Sequence, residues 1–185
     1  TSDKTANVYY AFNYSVQPGI YKISADGSTC TRMTTTNFDA SSADGYGAML
    51  IAAPGVTGHL FFTAGSQDPD NASQAFHHCS ESAGTMTCSS SDSYVTGITD
   101  VTAFEFGATK PGDTFPALYL YGRVSADPGW WRCTGLGVSR TCTKLSHYAV
   151  GGWLDGVRNV GGDMNIYGRA YIGFQGSGWK YGTFN

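Results

Sequence analysis

The most constraining feature of this sequence is an internal repeat with a period of about 45 residues. Each copy runs through a Gly-rich alternating strand, a strand rich in Tyr, Phe or Leu, an aromatic third strand, a polar turn and a Ser- and Thr-rich fourth strand. Four strands at this period are typical of one β-propeller blade. The repeat therefore predicts an all-β fold of β-propeller-type, four-stranded blades. The copies span approximately 8–33, 48–90, 101–145 and 163–182.

The number of copies predicts about three and a half blades in a single propeller-like unit, 1–185. The first copy lacks a recognisable innermost strand, and the last lacks an outermost one. Such a chain either closes as a small ring or forms a partial arc. Because an open arc exposes strand edges and apolar faces, we expect self-association or association with a missing propeller portion.

Charge and hydropathy exclude two classes of partner. The chain has 11 basic and 14 acidic side chains, a net charge of -3, and no run of Lys or Arg, so we expect no nucleic-acid partner. No apolar stretch approaches the roughly 18 to 20 residues that span a bilayer, so we expect no membrane partner. The first residues, 1–4, lack the pattern of a signal peptide, which predicts a processed chain.

Cysteine spacing predicts two disulfides. Cys79 and Cys88 are nine residues apart, as are Cys133 and Cys142, and each pair flanks the turn between a third and a fourth strand. This spacing places the partners directly across a hairpin. Cys30 has the matching fourth-strand position in the first copy but no cysteine opposite. It is either a buried free thiol or the source of an intermolecular bridge.

Other features favour an extracellular setting without a metal. Asn13 and Asn71 each begin an N-glycosylation sequon, and together with the cysteines they predict a secreted glycoprotein. His77, His78 and Cys79 are adjacent, but neighbouring strand residues point to opposite faces, so only His77 and Cys79 share a side. We therefore expect no metal site and no cofactor.

Several segments resemble the C-terminal propeller of glycoside hydrolase family 74, the xyloglucan-cleaving enzymes. The resemblance follows chain order through 53–60, 101–107, 110–122, 162–173 and 178–182. The turn at 24–30 also resembles a shortened Asp-box of that family, with Cys30 in place of the closing aromatic residue. The corresponding turns at 80–85 and 134–140 lack the motif, and we expect the cysteine pairs to hold those hairpins instead.

The resemblance implies a fold and a substrate class. Family members have two seven-bladed propellers and hydrolyse β-1,4-glucan backbones with inversion, using one Asp from each propeller. This chain resembles only the last part of the second propeller, after the region of its catalytic Asp. We therefore transfer no catalytic residue from the family.

Independent acid–base chemistry needs two carboxyl groups on one face. Asp127 and Asp155 are the candidates, because both lie in loops that reach the same face of the predicted blades. Asp beside Pro or Gly is also a common turn residue whose side chain caps the backbone. We therefore predict no catalytic residue.

Aromatic residues in the loops of that same face support glycan binding, because flat rings stack on sugars. The alternative is that these rings pack between blades. We expect two further tryptophans, Trp131 and Trp179, to lie in the core. The candidate glycan-binding residues are Tyr46, Tyr94, Trp130 and Trp153.

These observations predict a secreted, family-74-like module. We expect it to be noncatalytic by itself and to bind a xyloglucan-like β-glucan or to form part of a larger glycoside hydrolase. The alternative is a structural extracellular protein that assembles into rings or filaments through its exposed blade edges.

Overall fold

The computed structural model describes residues 1–13, 17–36, 48–64, 75–146 and 156–184. These residues form four sheets, which we number as blades 1 to 4 in chain order. All the regular secondary structure in these described residues is β-strand. These residues contain no helix long and apolar enough to cross a membrane.

The strands of each blade follow one another across the sheet as antiparallel neighbours. Blade 1 contains β1 Ser2–Asp3, β2 Val8–Asn13, β3 Gly19–Ser24 and β4 Cys30–Arg32. Blade 2 contains β6 Met49–Ala52, β7 His59–Thr63, β8 Phe76–Ser82 and β9 Thr85–Ser89. Blade 3 contains β10 Ile98–Thr109, β11 Pro116–Val124, β12 Asp127–Thr134 and β13 Thr141–Ser146. Blade 4 contains β14 Val157–Gly162, β15 Arg169–Phe174 and β16 Gly178–Thr183.

One strand pairs with the blade that comes after it in the chain rather than with the blade that precedes it. Strand β5, Thr34–Thr36, follows the last strand of blade 1 but pairs in parallel with β9, the last of the four antiparallel strands in blade 2. Open strand edges invite pairing with other chains. Strand β5 therefore covers the outer edge of blade 2 with a segment of the same chain.

The two ends of the repeat differ from each other. The prediction that the first copy lacks its innermost strand was wrong, because β1 pairs with β2 through Ser2 and Tyr9. A strand of two residues is too short to show an alternating pattern, so the sequence did not reveal it. Blade 4 has three described strands.

The hydrophobic core lies between successive blades. Strand alternation gives each sheet two faces, so the middle blades contribute side chains to two interfaces. The interface of blades 2 and 3 is rich in fully buried phenylalanines: Phe61, Phe76, Phe104 and Phe106. Blades 3 and 4 pack through smaller residues that include Ala103, Ala117, Val160, Ala170 and Ile172.

A pair of glycines sets the distance between the inner strands of blades 3 and 4. A Cβ atom added to Gly107 would lie 2.8 Å from the Cα of Gly162 and 2.8 Å from the Tyr119 ring. No side chain fits in that space, so β10 and β14 approach closely only because both positions are glycine.

Both predicted disulfides are confirmed. Cys79 bonds to Cys88 and Cys133 to Cys142, and each pair occupies directly opposed positions on adjacent strands. Cys30 is free in this structure and lies opposite Ile23. The expectation of a buried thiol was wrong: Cys30 is exposed, because no neighbouring blade covers that face of blade 1 in the described structure.

The shortened Asp-box forms a closed turn between β3 and β4. Asp26 Oδ1 accepts hydrogen bonds from the hydroxyls of Ser24 (2.6 Å) and Ser28 (2.8 Å) and from the Ser28 backbone N–H (3.0 Å). Ser24 Oγ in turn accepts the Thr29 N–H at 3.0 Å. The Ser24 hydroxyl and these other donors lower the pKa of Asp26 to about 2.

Candidate functional site

The predicted glycan-binding aromatics do not form one exposed surface among the described residues. Trp130 was expected at the edge of a loop, but it is buried, with 2% of its surface exposed. Its ring packs edge-on against Phe184 at 5.4 Å between centroids, because blade 4 covers this face of β12. Trp131 is buried as expected. Tyr46 and Trp153 lie outside the described residues.

Tyr94 is a packing residue at the interface of blades 2 and 3. Its ring stacks on His78 with centroids 3.9 Å apart, and it meets the edge of Phe115 at 5.3 Å. A Cβ atom at Gly137 would overlap the Tyr94 ring, so the glycine makes room for it. The half-buried ring therefore has its flat face covered by protein.

Two histidines and one carboxylate form a hydrogen-bonded chain at the same interface, which sequence reasoning missed. Asp92 Oδ2 lies 2.8 Å from His78 Nδ1, and His78 Nε2 lies 2.9 Å from His59 Nδ1. Asp92 Oδ1 also accepts the Tyr94 N–H at 3.0 Å. His78 and Asp92 are 14 residues apart and His59 and His78 are 19 apart, so no local motif could reveal the cluster.

Burial favours the uncharged form of the two histidines, His59 and His78. Removal from water lowers the pKa of both His59 and His78, and the Asp92 carboxylate only partly offsets this effect. With both rings neutral, the His78 Nδ1–H donates to Asp92 and the His59 Nδ1–H donates to His78 Nε2. His59 Nε2 is then left with a lone pair, at a half-buried position at the start of β7. The cluster can therefore accept a proton or a hydrogen bond at His59.

The carboxylates considered for catalysis have structural partners or lie outside the described residues. Asp127 Oδ1 accepts a hydrogen bond from Lys144 Nζ at 2.6 Å and follows a tight turn in which Ser125 and Ala126 have positive φ angles. Asp155 lies outside the described residues. Burial raises the pKa of the Glu105 carboxyl group. A raised pKa is typical of a carboxyl group that acts as a general acid. Glu105 Oε1 accepts the backbone N–H of Phe106.

Metal binding at the adjacent histidines and cysteine has no support in the described structure. Cys79 is consumed by its disulfide, and His77 and His78 face opposite sides of β8, packing against Phe62 and Phe61 respectively. The described residues contain no group of three or more His, Cys, Asp or Glu suited to hold a metal ion.

The two predicted glycosylation positions differ in what the structure describes. Asn13 ends β2 and is half-buried, opposite Gly19. Asn71 lies outside the described residues. Glycosylation at either sequon stays a prediction.

Comparison with known proteins finds one similarity in sequence and one in fold. No profile of a known protein family matches the chain. A xyloglucanase from Paenibacillus sp is 29% identical over 136 residues, which cover 72% of this chain and 12% of that protein. The chain therefore spans only a small part of that relative.

One solved structure shows the likeness in fold. A glycoside hydrolase family 74 enzyme from Niastella koreensis superposes with a TM-score of 0.66 and 20% identity, over 95% of this chain and 23% of the enzyme. The family 74 xyloglucanase from Xanthomonas campestris gives a TM-score of 0.49 and 18% identity, over 98% and 29%. The first superposition confirms the predicted all-β propeller fold. The chain is thus a family-74-like propeller portion, similar in sequence to a xyloglucanase.

Proposed function

We propose that this chain is a secreted propeller module that binds a xyloglucan-like β-glucan and does not cleave it alone. The observation that carries the proposal is the 29% identity to a xyloglucanase over 72% of the chain. Because the chain spans 12% of that relative, the proposal concerns binding by one section of a propeller rather than the activity of a whole enzyme. We propose the same binding role for the module when it forms part of a larger glycoside hydrolase.

The contacts of two described carboxylates, Asp127 and Glu81, support a noncatalytic module. Inverting hydrolysis requires a protonated acid and a free base about 6.5 to 9.5 Å apart. Asp127 is held by Lys144, and Glu81 accepts hydrogen bonds from Lys22 (2.6 Å) and Tyr10 (2.5 Å). Although burial alone would raise the pKa of Glu81, these donors lower it overall. Both groups are used to hold strands or blades together.

Two disulfides support secretion. Disulfide bonds form and persist in oxidising compartments, and the two bonds each close a hairpin of this fold. The sequons at Asn13 and Asn71 agree with the same setting.

Affinity electrophoresis in gels containing xyloglucan tests binding, and a reducing-end assay on the same polymer tests cleavage. We expect retarded migration in xyloglucan and unchanged migration in gels containing dextran. We expect no new reducing ends above the blank. Unchanged migration in xyloglucan would reject the binding proposal, and release of reducing ends would reject the noncatalytic part.

The outward face of blade 1 favours a second function, self-assembly of a structural extracellular protein. Tyr9 is 48% exposed and lies in one cross-strand row with Ile23 and the free, exposed Cys30. A surface with an apolar row and a thiol is suited to joining copies. Native mass measurement with and without a reducing agent tests this function. Assembly through Cys30 predicts multimers that dissociate on reduction, whereas the glycan-binding proposal requires no multimer.

A further inference from the structure

The outward face of blade 4 carries a set of exposed aromatic rings. Ala170 and Ile172 of β15 are buried against blade 3. The alternate residues Tyr171 and Gly173 therefore face away from blade 3. Strand register places Tyr181 opposite Tyr171 and Trp179 opposite Gly173. We call these four residues the blade 4 platform: Tyr171, Gly173, Trp179 and Tyr181.

The Trp179 ring packs against Gly173, in the space that a side chain at position 173 would occupy. A Cβ atom added at Gly173 would lie 3.0 Å from each of three indole carbons, Cε3, Cζ3 and Cη2. Three equal short distances mean that the indole lies flat across the glycine. Trp179 is nevertheless 64% exposed, so its opposite ring face is open to solvent. The expectation that Trp179 lies in the core was wrong, because no blade of the described structure covers this face.

Tyr181 extends the aromatic surface along the strand. It is 75% exposed, and its ring lies 6.1 Å from that of Tyr171 with an angle of 35° between the planes. Residues two apart on a strand project from the same face about 6.5 to 7 Å apart. Trp179 and Tyr181 thus offer two neighbouring rings to one extended ligand.

Hydrogen-bonding groups border the rings, and their charges compensate each other. Asn159 is exposed and pairs with Gly173 on the side opposite Trp179. Asp163 Oδ2 lies 3.5 Å from Arg169 Nη1 and 3.4 Å from the Tyr171 hydroxyl. Lys180 lies on the other face, over the Phe174 ring. This compensated charge matches a neutral ligand with many hydroxyl groups rather than a phosphate or a charged peptide.

The composition of the platform differs from that of the face of blade 4 that packs against blade 3. The inward face of the same blade presents Val160, Ala170 and Ile172, whereas the outward-facing strand residues named above include no aliphatic side chain. Flat rings with a polar border suit a sugar chain, because the C–H groups of the sugar pack on the rings and its hydroxyls bond to the border.

We propose that the blade 4 platform is the glycan-binding site of this chain, with pyranose rings of a neutral β-1,4-glucan stacked on Trp179 and Tyr181. This inference rests on the proposed function and gives it a location. It replaces the loop aromatics Tyr94 and Trp130, whose rings are covered by protein.

Calorimetric titration with soluble xyloglucan and with cellohexaose tests the site. Trp179→Ala and Tyr181→Ala are each expected to lower the affinity about tenfold or more, as loss of a central aromatic contact does. Gly173→Val keeps both rings but fills the space in which the indole packs, and it is also expected to weaken binding. Tyr9→Ala is the matched control, since it removes an exposed ring from blade 1 and should leave the affinity unchanged.

The outcomes separate failure of the site from failure of the function. If the unmodified chain binds neither glycan, the proposed function is rejected and the site with it. If it binds but the three blade 4 variants bind equally well, only the site is rejected. If Trp179→Ala instead converts a multimer to a monomer in a native mass measurement, the platform is an interface between copies and the site is again rejected.

Discussion

The interface of blades 2 and 3 and the blade 4 platform are both built from aromatic residues, yet they have opposite environments. At the interface, Phe61 is fully buried and contacts the rings of Phe76, Phe106 and Phe115. On the platform, Trp179 lies flat on a glycine with most of its surface open. An aromatic residue on a strand thus becomes core or binding surface according to whether another sheet covers its face.

Stability should separate the two regions most strongly. Phe61→Ala leaves a cavity among packed rings and is expected to cost about 3–5 kcal/mol in the free energy of unfolding. Trp179→Ala is expected to change it by less than about 0.5 kcal/mol, because the exposed ring loses little on unfolding. Urea denaturation followed by circular dichroism measures both values. Equal losses would show that the platform is packed against something in solution.

Removing a disulfide should have the next largest effect. Replacing both Cys133 and Cys142 with Ala removes a cross-link between residues nine apart in the sequence. This replacement is expected to lower the free energy of unfolding by about 2–3 kcal/mol, because the unfolded chain gains conformational entropy. Cys30→Ala is the control, since its thiol is free and exposed, and it should leave the urea midpoint unchanged. A larger loss from Cys30→Ala than from the double replacement would contradict the assigned pairing.

Acidification should destabilise the interface of blades 2 and 3 and leave the platform unaffected. The loss of unfolding free energy should be smaller than that caused by Phe61→Ala or by removal of the disulfide. Burial lowers the pKa of His59 and His78 at this interface, and of His77 on the opposite face of β8, below 6.5 in the folded state. The unfolded chain therefore binds more protons between those lowered values and about 6.5, so stability is fully present above 6.5 and falls as the pH drops below it. Urea midpoints at pH 7.5 and 5.5 measure this loss.

The control for that titration is a histidine replacement. His59→Gln removes one of the groups that titrate, so the loss between pH 7.5 and 5.5 should become smaller. The platform contains no histidine among its four residues, and glycan affinity should stay constant over the same pH range. A stability that rises on acidification would contradict the buried neutral state of these rings.

The repeat and the disulfides could be predicted from sequence because both depend on local spacing. Four alternating segments define a blade, and a nine-residue separation across a turn places Cys79 opposite Cys88. The same alternation correctly separated His77 from His78. These features need no knowledge of how blades pack against each other.

The candidate binding surface could not be predicted in the same way. Trp130 and Trp179 both occur in alternating strands, but β12 is covered by blade 4 whereas the outward face of β16 is open. The cluster of His59, His78 and Asp92 likewise forms from three separate segments. Burial and long-range hydrogen bonding depend on which faces meet, and a single strand pattern does not specify this.

Quenching of tryptophan fluorescence by acrylamide tests the central claim, that Trp179 is an open ring which a glucan covers. The other three tryptophans, Trp130, Trp131 and Trp153, are present in both proteins, so the difference between the unmodified chain and Trp179→Phe reports the Trp179 ring. We predict a quencher-accessible component that is absent in Trp179→Phe and is protected by saturating xyloglucan. An accessible component that xyloglucan leaves unprotected, under conditions where the polymer binds, would contradict the account.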